Sequence, residues 1–439
     1  MLEQNDEEEY LLNFKKKIES NVNIPSHLKA VRIAETYISL GRHSQSLEYF
    51  EQALNELKPL INDYTWGDVY YSTAGQYAST LDILGDLVSA ERIYTHILQD
   101  RPNDFCIGDF AIFLHRRKRD FEAAERMYLS ALSFFPNHAS IHLKYAGFLR
   151  YVRGDLEKAH QHYRLSYENN PNYPDGVGGY ASFLHGTGGD KKLAHSLYEK
   201  AIEADNCHVN NLCNFGLFLS EELQNFIQAE EIYRRALEVA PNHANSLYNY
   251  GVLLDSHCNR KKEAESLYCK CLEVDPKHSF ALYNLAVLRE EALHQQTLNQ
   301  STGVNSNEVL ITPQEIKSLY ERAVAADPND ATTMADCGRF ISDKMNDPVT
   351  GEPYLKKSLQ LDPNCDVAAL HLGIIQLRHR KNVPEAIVLF RSVLARKNAH
   401  AVTMHQLAKA LIEQHKLEIH SVLNPSSNSN NNNNNNNNN

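Results

Sequence analysis

Histidine, cysteine and glycine are the residues of this chain whose types could do chemistry. Their spacing decides against most of it. The 21 histidines would suffice for a metal centre. None of them forms HExxH, the pattern that sets two imidazoles one turn apart on a helix face. His160 and His162 are two residues apart and leave a helix on different sides. His138, His243 and His278 recur next to predicted helix ends, where they serve the turn between repeats. The eight cysteines are Cys106, Cys207, Cys213, Cys258, Cys269, Cys271, Cys337 and Cys365, and none belongs to a CxxC. They read as reduced, packed thiols rather than zinc ligands. The glycine-rich run at 176–190, GVGGYASFLHGTGGD, resembles a phosphate loop in composition only. It lacks GxxxxGK[ST], and no strand pattern precedes it. No Ser/His/Asp or Cys/His set is anchored by a motif. The expectation is a chain with no catalytic residue, no cofactor and no metal.

The elements that hold these residues repeat. Between Ala139 and Pro276 one unit is written four times at a spacing of 35 residues. Small residues fall at Ala159, Ala194, Ala229 and Ala264, and tyrosines four residues later at Tyr163, Tyr198, Tyr233 and Tyr268. The units close near Pro171, Asn206, Pro241 and Pro276. The same slots occur outside this block as Ala90, Tyr94 and Pro102; Ala124, Tyr128 and Pro136; Tyr320 and Pro328; and Ala386 and Phe390. Apolar residues at i, i+4 and i+7 give the helical period. The small residue marks a close approach of two helices, and the ring fills the space beside it. Proline ends the second helix of each unit because it lacks the N–H and clashes with the preceding turn. A lone pair of helices cannot bury its apolar face, whereas stacked pairs share one elongated core.

Ten such units fit residues 27–420, the last followed by an unpaired first-helix pattern that would act as a cap. Residues 1–26 form a polar lead-in with a short helix. The first helix of the third unit looks one residue short. Trp66 lies in the connection after the first unit and is expected to pack over the gap between the first two hairpins. Gly154 and Gly189 are expected to supply left-handed helix ends. From Pro276 to Pro328 the unit is 17 residues over length, and a polar loop around 293–310 takes the excess. Thr312, Pro313 and Glu315 then restart a helix with a capping box. In the ninth unit the second helix should start near Pro353. Residues 424–439 are an asparagine-rich tail, read as disordered.

The net charge of −11 argues against a nucleic-acid surface. No signal-peptide core and no membrane-length apolar run is present. A cytoplasmic setting is expected, with the nucleus as the alternative.

The slots resemble the tetratricopeptide repeat, with Leu285-Ala286, Tyr250-Gly251, Ala229/Tyr233/Ala236/Pro241 and Ala90/Tyr94/Pro102 as the hallmark residues. The resemblance implies an all-α, right-handed superhelical α-solenoid of antiparallel helix pairs. It also implies a groove, lined by first helices, that holds a peptide or partner helix. On the family's frame the groove positions are Ser140, Leu143 and Arg150; Asn210, Cys213 and Leu217; Asn245, Tyr248, Val252 and Asp255; and Phe280, Tyr283, Val287 and Glu290. This surface suits a largely apolar or extended peptide with tyrosines as anchors. The family's carboxylate clamp is incomplete: Val31 and Glu35 occupy its positions in the first unit, although Asn214 and Asn249 match its middle asparagine. No strong binding of acidic C-terminal tails is expected. The leading expectation is therefore a non-enzymatic scaffold for a protein or peptide. The alternatives are a structural, weakly self-associating repeat protein and, disfavoured by charge, an RNA-binding helical repeat.

Overall fold

The computed structural model describes residues 2–101, 106–301, 311–396 and 400–423, and no strand occurs among them. Helix α1 (Leu2–Glu19) leads in. Hairpins follow: α2 (Ser26–Ser39) with α3 (His43–Leu57), α4 (Tyr64–Leu84) with α5 (Leu87–Asp100), and α6 (Ile107–Phe113) with α7 (Phe121–Phe134). Next come α8 (Ala139–Phe148) with α9 (Leu156–Asn169), α10 (Pro174–Gly186) with α11 (Lys191–Ala204), and α12 (Val209–Glu221) with α13 (Phe226–Val239). The remainder are α14 (Ala244–Ser256) with α15 (Lys261–Val274), α16 (Ser279–Ser301) with α17 (Pro313–Ala326), α18 (Ala331–Asp343) with α19 (Pro348–Leu361), and α20 (Asp366–Arg378) with α21 (Val383–Arg396). A single helix, α22 (Ala401–Leu423), closes the series.

The chain divides into two compact units, Met1–Asn214 and Phe215–Asn439. Within the first, α3 packs on α4, α5 on α6, α7 on α8 and α9 on α10. Within the second, α13 packs on α14, α15 on α16, α17 on α18, α19 on α20 and α21 on α22. Each unit is thus an all-α solenoid of stacked hairpins.

The repeated slots are the core. Ala90, Ala124, Ala159, Ala194, Ala229, Ala264 and Ala386 are fully buried, as are Tyr128, Tyr198, Tyr233, Tyr268, Tyr320 and Phe390; Tyr94 and Tyr163 are nearly so. Tyr233, Tyr268 and Phe390 each sit against a glycine of their own first helix. A Cβ on Gly216 would stand 2.8 Å from Cε1 of Tyr233, and one on Gly251 would stand 2.7 Å from Cε1 of Tyr268. Burial of one such ring stabilises by about 2–3 kcal/mol relative to exposure. Pro136, Pro171, Pro241, Pro276 and Pro328 each follow the C-cap residue of a second helix. That residue lies outside the helical region, as the one before a proline must. Pro102 falls outside the described residues.

Four local expectations change. The polar insertion around 293–310 is helical as far as Ser301, extending α16 to 23 residues. The Leu and Gln residues of 293–301 are good helix formers, and propensity prevails where no packing opposes it. Residues 302–310, like the tail at 424–439, lie outside the described residues. Helix α19 starts at Pro348, with the Asp347 side chain accepting from Thr350 N at 3.1 Å, and Pro353 sits inside it. An aspartate cap followed by proline outweighs the one backbone bond that Pro353 forfeits. The left-handed residue after α10 is Gly188 (φ 66°), not Gly189, while Gly154 takes φ 68°. Adjacent glycines both permit that conformation, so the sequence did not choose between them. The 18-residue α1 is longer than a short lead-in helix.

Two details follow the reading. The capping box at Thr312 and Glu315 is formed in both directions. Trp66 meets His27 of α2 edge to face, with ring centroids 4.6 Å apart.

Candidate functional site

The side chain of Asp63 starts α4 by accepting from Thr65 N at 2.9 Å and Trp66 N at 3.1 Å. This early start gives α4 its 21 residues. One face of α4 then presents Asp68, Tyr71, Ser72, Gly75, Gln76, Ser79, Thr80 and Ile83. That face lines a cleft of about 910 Å³, together with Glu35 and Ile38 of α2, Arg101, Cys106, Asp109 of α6 and Phe135. First helices therefore supply most of the wall. Gly75 sets the floor: a Cβ there would lie 3.3 Å from Cβ of Cys106.

The polar groups of the cleft are unequally satisfied. Arg101 pairs with Asp68 and lies 4.5 Å over the Tyr71 ring. Tyr71 donates to Oδ2 of Asp100 at 3.2 Å, and burial followed by that carboxylate raises its pKa. Gln76 Nε2 donates to Oε1 of Glu35 at 3.2 Å. Gln76 Oε1 is buried and accepts nothing. The lining holds three carboxylates (Glu35, Asp68 and Asp109) against one guanidinium. Asp109 also pairs with Lys144 from α8. With Lys144 counted, carboxylates outnumber cations by one, and Gln76 Oε1 is left without a donor.

The positions read from the sequence do not form one site. In the first unit, Leu143 packs where a side chain on Gly179 of α10 would go. Arg150 lies over Tyr151 and Phe183 at 4.8 and 5.5 Å. Ser140 is half-buried and Asn210 exposed. Cys213 is buried, 3% exposed. In the second unit, Leu217, Val252, Asp255 and Val287 are half-buried and Asn245 is exposed. Burial raises the Asp255 pKa. Tyr248 stacks obliquely on His278 at 4.9 Å and on Phe280 at 6.1 Å, with Phe280 59% exposed.

Two groove candidates in the second unit instead hold hairpins together. Tyr283 donates to Oδ2 of Asp336 at 2.9 Å. Glu290 takes a two-pronged contact from Arg339 at 2.8 and 2.7 Å and a third bond from Tyr320 at 3.0 Å. Burial pushes the Glu290 pKa up, but the Arg339 and Tyr320 bonds outweigh it, and the result is lowered. A charge so engaged recruits no ligand.

Two of the three repeated histidines, His243 and His278, cap helices with their rings, as does His208, whereas the side chain of His138 makes no cap bond to α8. His243 Nδ1 accepts from Ser246 N at 3.3 Å, His278 Nδ1 from Ala281 N at 3.2 Å, and His208 Nδ1 from Asn211 N at 3.3 Å. His142 and His162 meet Nδ1 to Nδ1 at 2.8 Å, and His142 Nε2 donates to the Pro136 carbonyl at 2.8 Å. His162 must then be the donor of the pair. His160 turns the other way, to Tyr180 Oη at 2.9 Å. All eight cysteines are free, and no group of three or more His, Cys, Asp or Glu among the described residues could hold a metal.

The cleft was missed because the groove frame was applied from the fourth unit onward. Applied to the second repeat it gives Ser72, Gly75, Ser79 and Asp82, of which the first three line the cleft.

Tetratricopeptide-repeat models match residues 114–174 and, in a second form, 30–56, 209–243 and 244–278. No curated protein matches by sequence. By structure, the human IFIT1 dimer with PPP-AAAA is similar at 15% identity, covering 91% of this chain and 94% of that one, with a TM-score of 0.54. The human IFIT1 dimer with m7Gppp-AAAA is similar at 14% identity, covering 94% and 95%, with a TM-score of 0.55. At such identity the likeness is one of fold alone. With ring and small-residue slots buried in register and both repeat models matching across them, the chain is a tetratricopeptide-repeat protein.

Proposed function

We propose that this chain is a non-enzymatic scaffold that holds a protein segment against its first helices. In the cleft between α2, α4 and α6, that segment is an extended peptide carrying lysine or arginine. The observation that carries this reading is the acceptor-rich wall. Asp68 is held by Arg101 and Asp109 by Lys144, which leaves Glu35 as the carboxylate in excess, and the buried Gln76 Oε1 beside it has no donor. A buried acceptor left unpaired costs about 1–3 kcal/mol, which an incoming N–H recovers. The excess of carboxylates attracts cations and repels acidic tails and phosphates. The eight free cysteines suit a reducing compartment such as the cytoplasm. No helix among the described residues is long and apolar enough to cross a membrane.

The test is fluorescence anisotropy with matched peptides in which one central residue is Lys, Arg, Ala or Glu. The cationic peptides should bind about tenfold tighter than the alanine peptide, with the gap closing as salt rises. Glu35→Gln with Gln76→Met should remove the preference. Equal affinity for the Glu peptide, or tighter binding of a 5′-triphosphate oligonucleotide than of any peptide, would overturn the reading.

A further inference from the structure

The last hairpin position is only half built. Helices α20 and α22 are in register at 35 residues, so that Leu372-Gly373 corresponds to Leu407-Ala408. In α20 the face bearing Ala369, Gly373, Gln376 and Leu377 is closed by α21, and all four residues are buried. Phe390 of α21 packs so closely that a Cβ on Gly373 would stand 2.5 Å from its Cε1. The matching residues of α22 are Met404, Ala408, Leu411 and Ile412. Met404, Leu411 and Ile412 are 45%, 40% and 57% exposed, and Ala408 is exposed as well. Ile419, seven residues beyond Ile412 on the same stripe, is 46% exposed. The other face of α22 is already used, with Thr403, Gln406 and Ala410 buried.

We propose that a second copy of this chain closes that face, α22 against α22, in a two-fold symmetric pair. Three observations favour this occupant. The residues 424–439 that follow α22 read NPSSNSN and then asparagine alone, with one proline and no other apolar side chain, so they offer nothing to bury against this face. The face is self-complementary, because Ala408 leaves a hollow among Met404, Leu411 and Ile412 that the large side chains of an identical helix fill. The charges beside the stripe balance, Lys409 and Lys416 against Glu413 and Glu418. Such a rim gives a strongly charged foreign partner no purchase, yet can pair with its own copy. At 23 residues against 13 for α20, α22 also carries its stripe past the end of the hairpin it packs on. A symmetric pair buries the same patch on both copies and leaves no open end to propagate.

The experiment is sedimentation velocity of the full chain over a rising concentration series. Four proteins are compared: the natural chain, Leu411→Glu with Ile412→Glu, a tail deletion lacking 424–439, and Lys409→Glu as a rim variant. The natural chain and the tail deletion should shift from one chain mass toward two. The double glutamate variant should stay at one, with unchanged helical circular dichroism, since both side chains are exposed within one chain. Lys409→Glu should weaken the association at low salt more than at high salt. A natural chain that stays monomeric throughout, a double variant that still dimerises, or association that vanishes with the tail would each overturn the proposal. Peptide binding in the cleft is read independently, so failure of one leaves the other standing.

Discussion

The turn between the two helices of a hairpin places one residue in the left-handed region at a recurring position. Gly41, Gly85, Arg119, Gly154, Gln224, Asn259, Asn346 and Lys381 take φ of 70°, 90°, 57°, 68°, 51°, 52°, 54° and 57°. Five of these eight are not glycine. A non-glycine residue in this region costs about 1–2 kcal/mol, less for asparagine, whose side chain tolerates it. Gln224→Gly and Lys381→Gly should therefore each raise stability by up to about 1 kcal/mol, and Asn259→Gly by less. Urea unfolding at matched protein concentration reads this order. A Gln224→Gly protein with a lower midpoint would show that side-chain contacts, not backbone strain, set the turn. This feature was only partly legible. Glycine at 154 announces it, whereas glutamine and lysine carry no such signal, because turn length alone forces the conformation on them.

At the scale of the element, many helix starts are fixed by one side chain. Aspartates cap α4, α5, α7, α9 and α11, and histidine caps α14 in the same way. A histidine cap works only while Nδ1 has its lone pair. Burial lowers the pKa of His243 and His278, and burial with the charge of His142 takes His162 down to about 4. These groups stay neutral when folded and protonate more readily when unfolded. Their contribution is present above the ordinary histidine value near pH 6.5 and is lost as pH falls through that value toward the lowered ones. His208 runs the other way, since the bond to Asp175 raises its pKa, so its contribution fades as pH rises. With His115, His138 and His142 lowered by burial as well, six lowered histidines against one raised predict a lower melting temperature at pH 5.5 than at pH 7.5. His243→Asn keeps a capping oxygen and should flatten part of that slope. A melting temperature that rises on acidification would refute the capping role. The sequence showed these histidines beside helix ends, but not that their rings accept from the backbone three residues on. Likewise Thr312→Ala should lower stability by about 1 kcal/mol, since it breaks a capping box that the motif alone had revealed.

For the molecule as a whole, the 35-residue period made the hairpins legible, because every slot it marks is a packing slot. The period says little about which outward positions are free. Glu290 and Tyr283 sit on the groove frame yet tie α16 to α17 and α18, and nothing local to them names Arg339 or Asp336 as partner. The cleft depends on Arg101 and Phe135, which follow second helices and lie outside the frame altogether. The period also implies how the array should come apart. Each hairpin contacts mainly its neighbours, so stability is close to a sum of local terms. The cluster of Leu370, Leu377, Val383, Ala386, Ile387 and Phe390 is completed by Ala410 and Leu407 of α22. Ending the chain at residue 400 exposes that cluster, and α20 and α21 should lose about 2–3 kcal/mol of hydrogen-exchange protection. The loss should be smaller in α18 and α19 and negligible in α14 and α15. Uniform loss of protection from α14 to α21 would mean that this unit unfolds as one cooperative body, and the nearest-neighbour account of its stability would have to be abandoned.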